Sequence, residues 1–389
     1  MTPRPALLYL APWGWSFLRN RSQPLATALA DRCDVFYVDP TIKRVGGPAL
    51  DRWVSRFPAL RAVVERPVLT LRPSSGVEGV HWVKYAGLRG SGADRAAVVR
   101  DALPALVRLA RRIGRGHPRR VLLTSQPLSG ALVDALPGWR VVVDLQDPWF
   151  EVSTAEEAPR AEVLALLARA DVVTANGGAI ASEYAELAGR SIHSLPNGLD
   201  PCFIESSVGP PPGGRPRAVF AGNLNPRTDL ALLERVVRAM PGWDFVFAGR
   251  VQLFPETQAV WDAMRALPNV RFLGSRPHPE MPALYASATA LLLPYAHAGS
   301  GAMFPQKLLE YVASARPIVS TLPFELPGLP PGQLLHTPDA DALIAALGAV
   351  AVSGRAYDPA FAAACRAYAA EHLWERRAEE FARLVGLDA

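Results

Sequence analysis

Residues 289–321, TALLLPYAHAGSGAMFPQKLLEYVASARPIVST, decide the fold. Thr289 to Leu293 is an apolar run short enough to be a buried strand, and Pro294 ends it. Tyr295 to Met303 is small, Gly-rich and polar, and reads as a loop. Pro305 suits the first position of a helix, where its missing N–H is not needed. From Gln306 to Ala315, the residues Leu308, Leu309, Val312 and Ala313 recur at the helical period and give one core face. Arg316-Pro317 stops that helix, and Ile318-Val319-Ser320 starts another buried strand. Strand, glycine loop, helix and strand form the usual half of a nucleotide site in a parallel sheet.

Two residues of the helix break its apolar plan. Lys307 lies in the first turn, where the helix dipole disfavours a cation. An anion such as a diphosphate at that end would explain it. Glu310 follows three residues later on the same face and could accept hydrogen bonds from ribose hydroxyls. A solvated Lys–Glu pair fits the same two residues.

Pro305, Lys307, Leu308, Glu310, Tyr311 and Arg316-Pro317-Ile318-Val319 resemble the P-x-K-x-x-E-Y-x-A-x-G-x-P-V-V signature of bacterial family 4 glycosyltransferases and their relatives. The resemblance implies a GT-B fold: α/β, two Rossmann-like doubly wound domains facing a central cleft, with a C-terminal helix crossing back to the first domain. It implies a sugar nucleotide held mainly by the second domain, with Glu310 on the ribose. Many members carry an earlier Glu where this chain has Ala302, which points to a branch where Lys307 carries the phosphate contact.

At 389 residues the chain fits two domains of ordinary size, and an apolar fraction of 50% supports large cores. Gly209 to Pro216, rich in Pro and Gly, marks a linker between a domain over 1–208 and one over 217–373, with 374–389 returning to the first. Cys33, Cys202 and Cys365 are far apart and form no C-x-x-C, so neither a disulfide framework nor a zinc site is expected. A reducing cytoplasm is the default location. The first residues read as a strand rather than a signal peptide, and no apolar run has the length of a membrane helix.

The net charge of +5 is uneven. Residues 1–120 hold 21 Lys/Arg against 8 Asp/Glu, a net of +13, and the remainder holds 20 against 28, a net of −8. An anionic partner near the first domain is one reading: the inner face of a membrane, a polyprenyl phosphate carrier or an acidic glycan. An Arg-rich composition without such a partner is the other. Nucleic acid is not expected, because no recognised nucleic-acid module accompanies the charge.

The start of the chain, Ala6–Leu10, a loop to Asn20, a helix from Gln23 to Ala30 and a strand at Val35–Val38, implies a doubly wound sheet. Trp13 and Trp15 in that loop either pave an acceptor sugar, touch lipid or pack beneath the loop. Asn20-Arg21-Ser22-Gln23-Pro24 resembles the opening of the same transferase branch, which puts Arg21 with them on the acceptor side. Residues 41–92 read as irregular, and the glycines from Gly87 to Gly92 have the wrong spacing for a phosphate loop. Val141–Val143 is a strand ending in Asp144 and Asp147. Either carboxylate could take the proton of an attacking hydroxyl, Asp147 first, or both could cap the turn.

In the second half, Val219-Phe220 runs into Gly222, whose loop lets backbone N–H groups approach a phosphate, with Asn223 beside it and Arg227 able to add a bidentate contact. Arg250 ends the next strand, and by resemblance Gly274 to Arg276 line the base pocket, with Tyr295 joining the donor set. Asp339-Ala340-Asp341 reads as a helix cap, and the scattered His show no metal spacing, so no metal or cofactor is expected. The expected activity is transfer of a sugar from a nucleotide donor such as a UDP-, GDP- or dTDP-sugar to a hydroxyl of a glycan, lipid carrier or small molecule. A non-hydrolysing sugar-nucleotide epimerase of this fold and a catalytically silent nucleotide-binding scaffold are the alternatives.

Overall fold

Alternation along the strands builds the core of each unit. In β1 (Ala6–Leu10), Leu7 and Tyr9 face one side and Ala6, Leu8 and Leu10 the other, and all five are buried. A strand hidden on both faces belongs inside a parallel sheet covered by helices. The computed structural model describes residues 3–16, 19–44, 68–71, 75–87, 95–127, 129–150, 160–205, 214–296 and 304–388.

The first sheet contains β1, β2 (Asp34–Arg44), β3 (Val68–Leu71), β4 (Val80–Gly87), β5 (Arg120–Thr124), β6 (Arg140–Leu145), β7 (Val172–Ala175) and β8 (His193–Ser194). Its order is β3-β4-β2-β1-β5-β6-β7-β8, parallel except where β3 meets β4. Helix α1 (Ser22–Leu29) covers one face with Leu25 and Leu29. Helix α2 (Arg95–Gly116) covers the other with Leu106, Ala110 and Ile113. Among the described residues, three further helices join these strands: α3 (Gly130–Asp134), α4 (Arg160–Arg169) and α5 (Gly178–Ala188).

The second sheet contains β9 (Arg217–Ala221), β10 (Asp244–Ala248), β11 (Val270–Phe272), β12 (Ala290–Leu293), β13 (Ile318–Ser320) and β14 (Leu334–His336). Its order is β11-β10-β9-β12-β13-β14, parallel at each described pairing. Helices α7 (Leu230–Ala239), α8 (Pro255–Arg265) and α11 (Ala340–Ser353) pack with Phe220, Phe245 and Phe247 on one face. On the other, α6 (Cys202–Glu205), α9 (Met281–Ala286), α10 (Lys307–Ala313) and α12 (Pro359–Ala370) pack with Val219, Leu291 and Leu293. The chain ends in α13 (Trp374–Val385).

Contacts divide the chain into Met1–Pro196 with Trp374–Ala389, and Asn197–Leu373. The division falls before the Pro/Gly-rich stretch, most of which lies outside the described residues. Residues 199–205 join the second unit for a local reason. The Leu199 N–H donates to the His372 carbonyl at 2.8 Å, and Leu199 and Phe203 are core residues there. In the first unit, Trp374 and Phe381 of α13 pack with Leu25 and Leu29 of α1.

Two sequence expectations change. Residues 41–92 are not irregular throughout, because β4 lies between β2 and β3. Its sequence, VHWVKYAG, has a weak apolar signature, and pairing with two neighbours sets its conformation instead. The helix expected from Gln306 to Ala315 is shorter, running Lys307–Ala313. Ala315 ends it in the left-handed region at φ 55°, so the following Arg-Pro can turn into β13. The positions Ala302 and 88–92 lie outside the described residues.

Candidate active site

In the second unit the strand order runs outward in both directions from the β9–β12 pair. Loops leaving the carboxyl ends of such a pair diverge and open a ligand crevice. The loop after β9 and the loop after β12 are stitched together here. Asp229 N–H donates to the Pro294 carbonyl at 2.9 Å, Ala296 N–H donates to the Arg227 carbonyl at 2.8 Å, and Thr228 bridges Tyr295. The neighbouring strand ends join them, with Leu224 N–H donating to the Arg250 carbonyl at 2.8 Å and Gly249 N–H to that of Gly274 at 2.9 Å. These bonds gather Gly222, Asn223, Arg227, Arg250, Gly274 and Tyr295 at one sheet edge.

Lys307 completes the group. Its Nζ lies 4.2 Å from the Phe220 ring centroid and 5.4 Å from that of Tyr295. A Cβ at Gly222 would sit 2.4 Å from this Nζ, so glycine there leaves room for the amino group. Gly249 is required by close approach, because a Cβ on it would lie 1.9 Å from the Gly222 carbonyl oxygen, at φ +140°. Burial draws the Lys307 amine down to about 7, and Glu310 only partly opposes this. Among the described residues the amine makes no ion pair, and it lies against the faces of Phe220 and Tyr295.

Glu310 is 8% exposed and accepts a hydrogen bond at 2.9 Å from the Tyr285 hydroxyl to Oε2. Burial and this carboxylate push the Tyr285 hydroxyl well up. Tyr311 ties the same helix to β9: its hydroxyl oxygen accepts from the Ala221 N–H at 2.9 Å. Nothing in the local sequence marks either tyrosine role, although a buried tyrosine hydroxyl usually finds a partner. Arg276 is exposed and ion-paired with Glu280 at 3.2 Å. Asp339 caps α11, its Oδ1 accepting from Ala342 N–H at 2.9 Å, and Asp341 pairs with Arg235 at 2.6 Å. Among the described residues, no three His, Cys, Asp or Glu are grouped to hold a metal ion.

The first unit carries its own polar cluster at the carboxyl ends of β1, β5, β6 and β7. Asp144 is fully buried, and Arg21, 3% exposed, holds it by a bidentate pair, Nε to Oδ2 at 2.9 Å and Nη2 to Oδ1 at 2.8 Å. Thr174 donates to Oδ1 at 2.8 Å. The Gln146 side-chain amide reaches the Tyr9 hydroxyl at 2.8 Å, the Ser125 hydroxyl at 3.1 Å and Asp144 Oδ2 at 3.3 Å. This corrects two expectations. Arg21 is an internal anchor for Asp144 rather than an acceptor contact, and Asp144, its oxygens taken up by Arg21, Thr174 and Gln146, is not placed to accept a substrate proton. Asp147 is half-buried in the bend after β6. Trp15 packs under its loop: its N–H donates to Asp39 Oδ2 at 3.0 Å, its ring N–H to the Ser75 carbonyl at 2.9 Å, and its ring meets Tyr37 edge-on. Trp13 is half-buried and its carbonyl accepts from the Tyr37 hydroxyl at 2.7 Å.

Known proteins resemble both halves of this arrangement. Residues 215–351 match the family described as glycosyl transferases group 1. A Bacillus subtilis (strain 168) protein assigned to teichuronic acid biosynthesis, the glycosyltransferase TuaH, is 24% identical over 210 residues, covering 49% of this chain and 52% of that one. The chain therefore aligns with about half the length of this curated relative. Sucrose-phosphate synthase from Thermosynechococcus elongatus superposes with a TM-score of 0.69 at 14% identity, over 98% of each chain. A UDP-forming α,α-trehalose-phosphate synthase from Burkholderia xenovorans gives 0.67 at 13% over 99% of each. Anabaena HepE in complex with UDP and glucose gives 0.64 at 12%, over 98% of this chain and 99% of that one. At these identities the structures show a shared fold, the GT-B fold.

Proposed function

Because residues 215–351 carry a glycosyl transferases group 1 domain in a chain of GT-B fold, we propose that the protein transfers a sugar from a nucleoside-diphosphate donor to a hydroxyl acceptor. The observation that carries this is Lys307, a half-buried amine against Gly222 at the β9–β12 switch point with no ion-pair partner among the described residues. Two structural neighbours, the UDP-forming synthase and the protein in complex with UDP and glucose, support a uridine nucleotide as the first donor to test. Lys307 and Arg227 bind the diphosphate and stabilise its charge as the sugar–oxygen bond breaks. Glu310, oriented by Tyr285, accepts from the ribose. If the transfer inverts the sugar carbon, Asp147 is the candidate base for the acceptor proton ahead of Asp144, whose oxygens are held by Arg21, Thr174 and Gln146.

This chemistry has a pH signature. The diphosphate diester of a sugar nucleotide keeps its charge across neutral pH, while Lys307 in the empty site titrates near 7. Only the ammonium form attracts the donor. Apparent affinity is therefore highest below pH 7 and falls about tenfold or more by pH 8.5. Titration calorimetry with UDP-glucose at several pH values checks this, and affinity that rises with pH would refute it.

Glu310→Gln separates ribose from phosphate recognition. The glutamine carbonyl still accepts from Tyr285, so the fold is retained, but the charged acceptor for ribose hydroxyls is gone. Loss of about 1.5–3 kcal/mol of nucleotide affinity is expected. Binding of inorganic pyrophosphate, which has no ribose, should not weaken when measured at pH 5.5, where Lys307 is charged in both proteins. An equal loss for both ligands would remove Glu310 from the ribose.

A further inference from the structure

Helix α2 buries Ala102, Leu106, Ala110 and Ile113 against the first sheet. At 100° per residue, Arg108, Arg111, Arg112 and Arg115 fall on the opposite face, and all four are exposed. Arg108 with Arg112, and Arg111 with Arg115, set like charges one turn apart, which is unfavourable for a helix by itself. Residues 102–120 contain six Arg and no Asp or Glu, and among the described residues none of the four makes an ion pair. The helix dipole favours a cation in the last turn and so accounts for Arg115, but its reach ends before Arg108 and Arg111.

We propose that this stripe docks the protein on an anionic lipid surface. The inference is independent of the donor site. The stripe stands on the outward face of a helix, which meets a plane along its length, whereas a polymer is held best in a groove. From Arg108 to Arg115 it spans about 10 Å, one Debye length at 0.1 M salt, so the four charges act together on a charged plane. The same sign extends beyond the helix, with +13 over residues 1–120 against −8 over the rest. Most of that −8 lies in residues 121–196 of the same unit, so the net charge is +6 for residues 1–196 with 374–389 and −1 for residues 197–373, and an anionic plane attracts the first unit more than the second. Lipid phosphates give each guanidinium a bidentate partner. Among the described residues no helix is long and apolar enough to cross a membrane.

The test sediments the full chain with vesicles of phosphatidylcholine alone or mixed with phosphatidylglycerol. The protein should pellet only with the anionic vesicles and be released by about 0.5 M salt. The variant Arg108→Gln/Arg111→Gln/Arg112→Gln/Arg115→Gln keeps helix propensity and should lose about 100-fold or more in partitioning, with an unchanged melting curve. If it melts early, Arg108→Gln/Arg111→Gln is read instead, with a loss of about tenfold. Arg235→Gln/Arg238→Gln/Arg265→Gln/Arg271→Gln, which removes as much charge from the second unit, should bind like the wild type. The proposal is overturned by any of three results: no pelleting with anionic vesicles, equal pelleting of the stripe and second-unit variants, or binding to soluble heparin as tight as to vesicles.

Discussion

Lys307→Met is expected to make the empty protein more stable while removing its hold on the donor. The two effects have opposite signs, and a residue of purely structural value would not show both. Folding moves the Lys307 amine from its ordinary 10.5 to about 7. A depressed lysine opposes folding while protonated. That penalty is fully present below pH 7 and shrinks as pH rises from 7 towards 10.5. Methionine has nearly the same length, fills the space between Phe220 and Tyr295, and carries no charge. At pH 6 the variant should therefore gain on the order of 2 kcal/mol over the wild type, and the gain should vanish near pH 10. With the charge proposed to face the diphosphate gone, kcat/KM should drop by about 10²–10³-fold, as for loss of one transition-state donor. Thermal melts across pH, paired with initial rates, read both effects. A variant that is less stable at pH 6 and keeps its rate would show that Lys307 is packing, not a ligand.

The largest stability effect belongs to the first unit. Asp144→Ala leaves Arg21, 3% exposed, as a buried cation stripped of its bidentate partner. Removing one member of such a pair costs about 3–5 kcal/mol. Since a domain is stable by only about 5–15 kcal/mol, much of the first unit's margin goes with it. Asp144→Asn should be milder, because its carbonyl still accepts from one guanidinium nitrogen. Urea titration followed by circular dichroism gives the midpoint shifts. If Asp144→Ala shifts the midpoint no more than a surface substitution does, the network is not the anchor described here.

The sequence spoke clearly where chemistry is local. Residues 289–321 punctuate themselves with Pro294, Pro305 and Pro317, and the strand, helix and strand between them are present, although the helix is buried from Leu308 to Ala313 rather than along one face. Lys307 drew notice because a cation opens a helix, and the Asp339 cap was visible beside its helix. What could not be read depends on partners distant in the chain. Arg21 and Asp144 are 123 positions apart, and nothing near either names the other. Tyr285 and Glu310 are 25 apart. The strand β4 exists because β2 and β3 pair with it, not because its own alternation is strong. The cage around Lys307 likewise draws on Phe220 and Tyr295, from two other strand ends.

The central claim is that the Lys307 amine, neutral much of the time in the empty site, becomes an ammonium when a diphosphate arrives. Proton uptake reads this directly. UDP-glucose is titrated into the wild-type protein at pH 8 in buffers of different ionisation enthalpy. An amine near 7 that is held fully charged in the complex should take up about 0.9 proton per donor bound at pH 8, and close to none at pH 5.5. Binding without proton uptake at pH 8 would mean that the diphosphate rests on some other group.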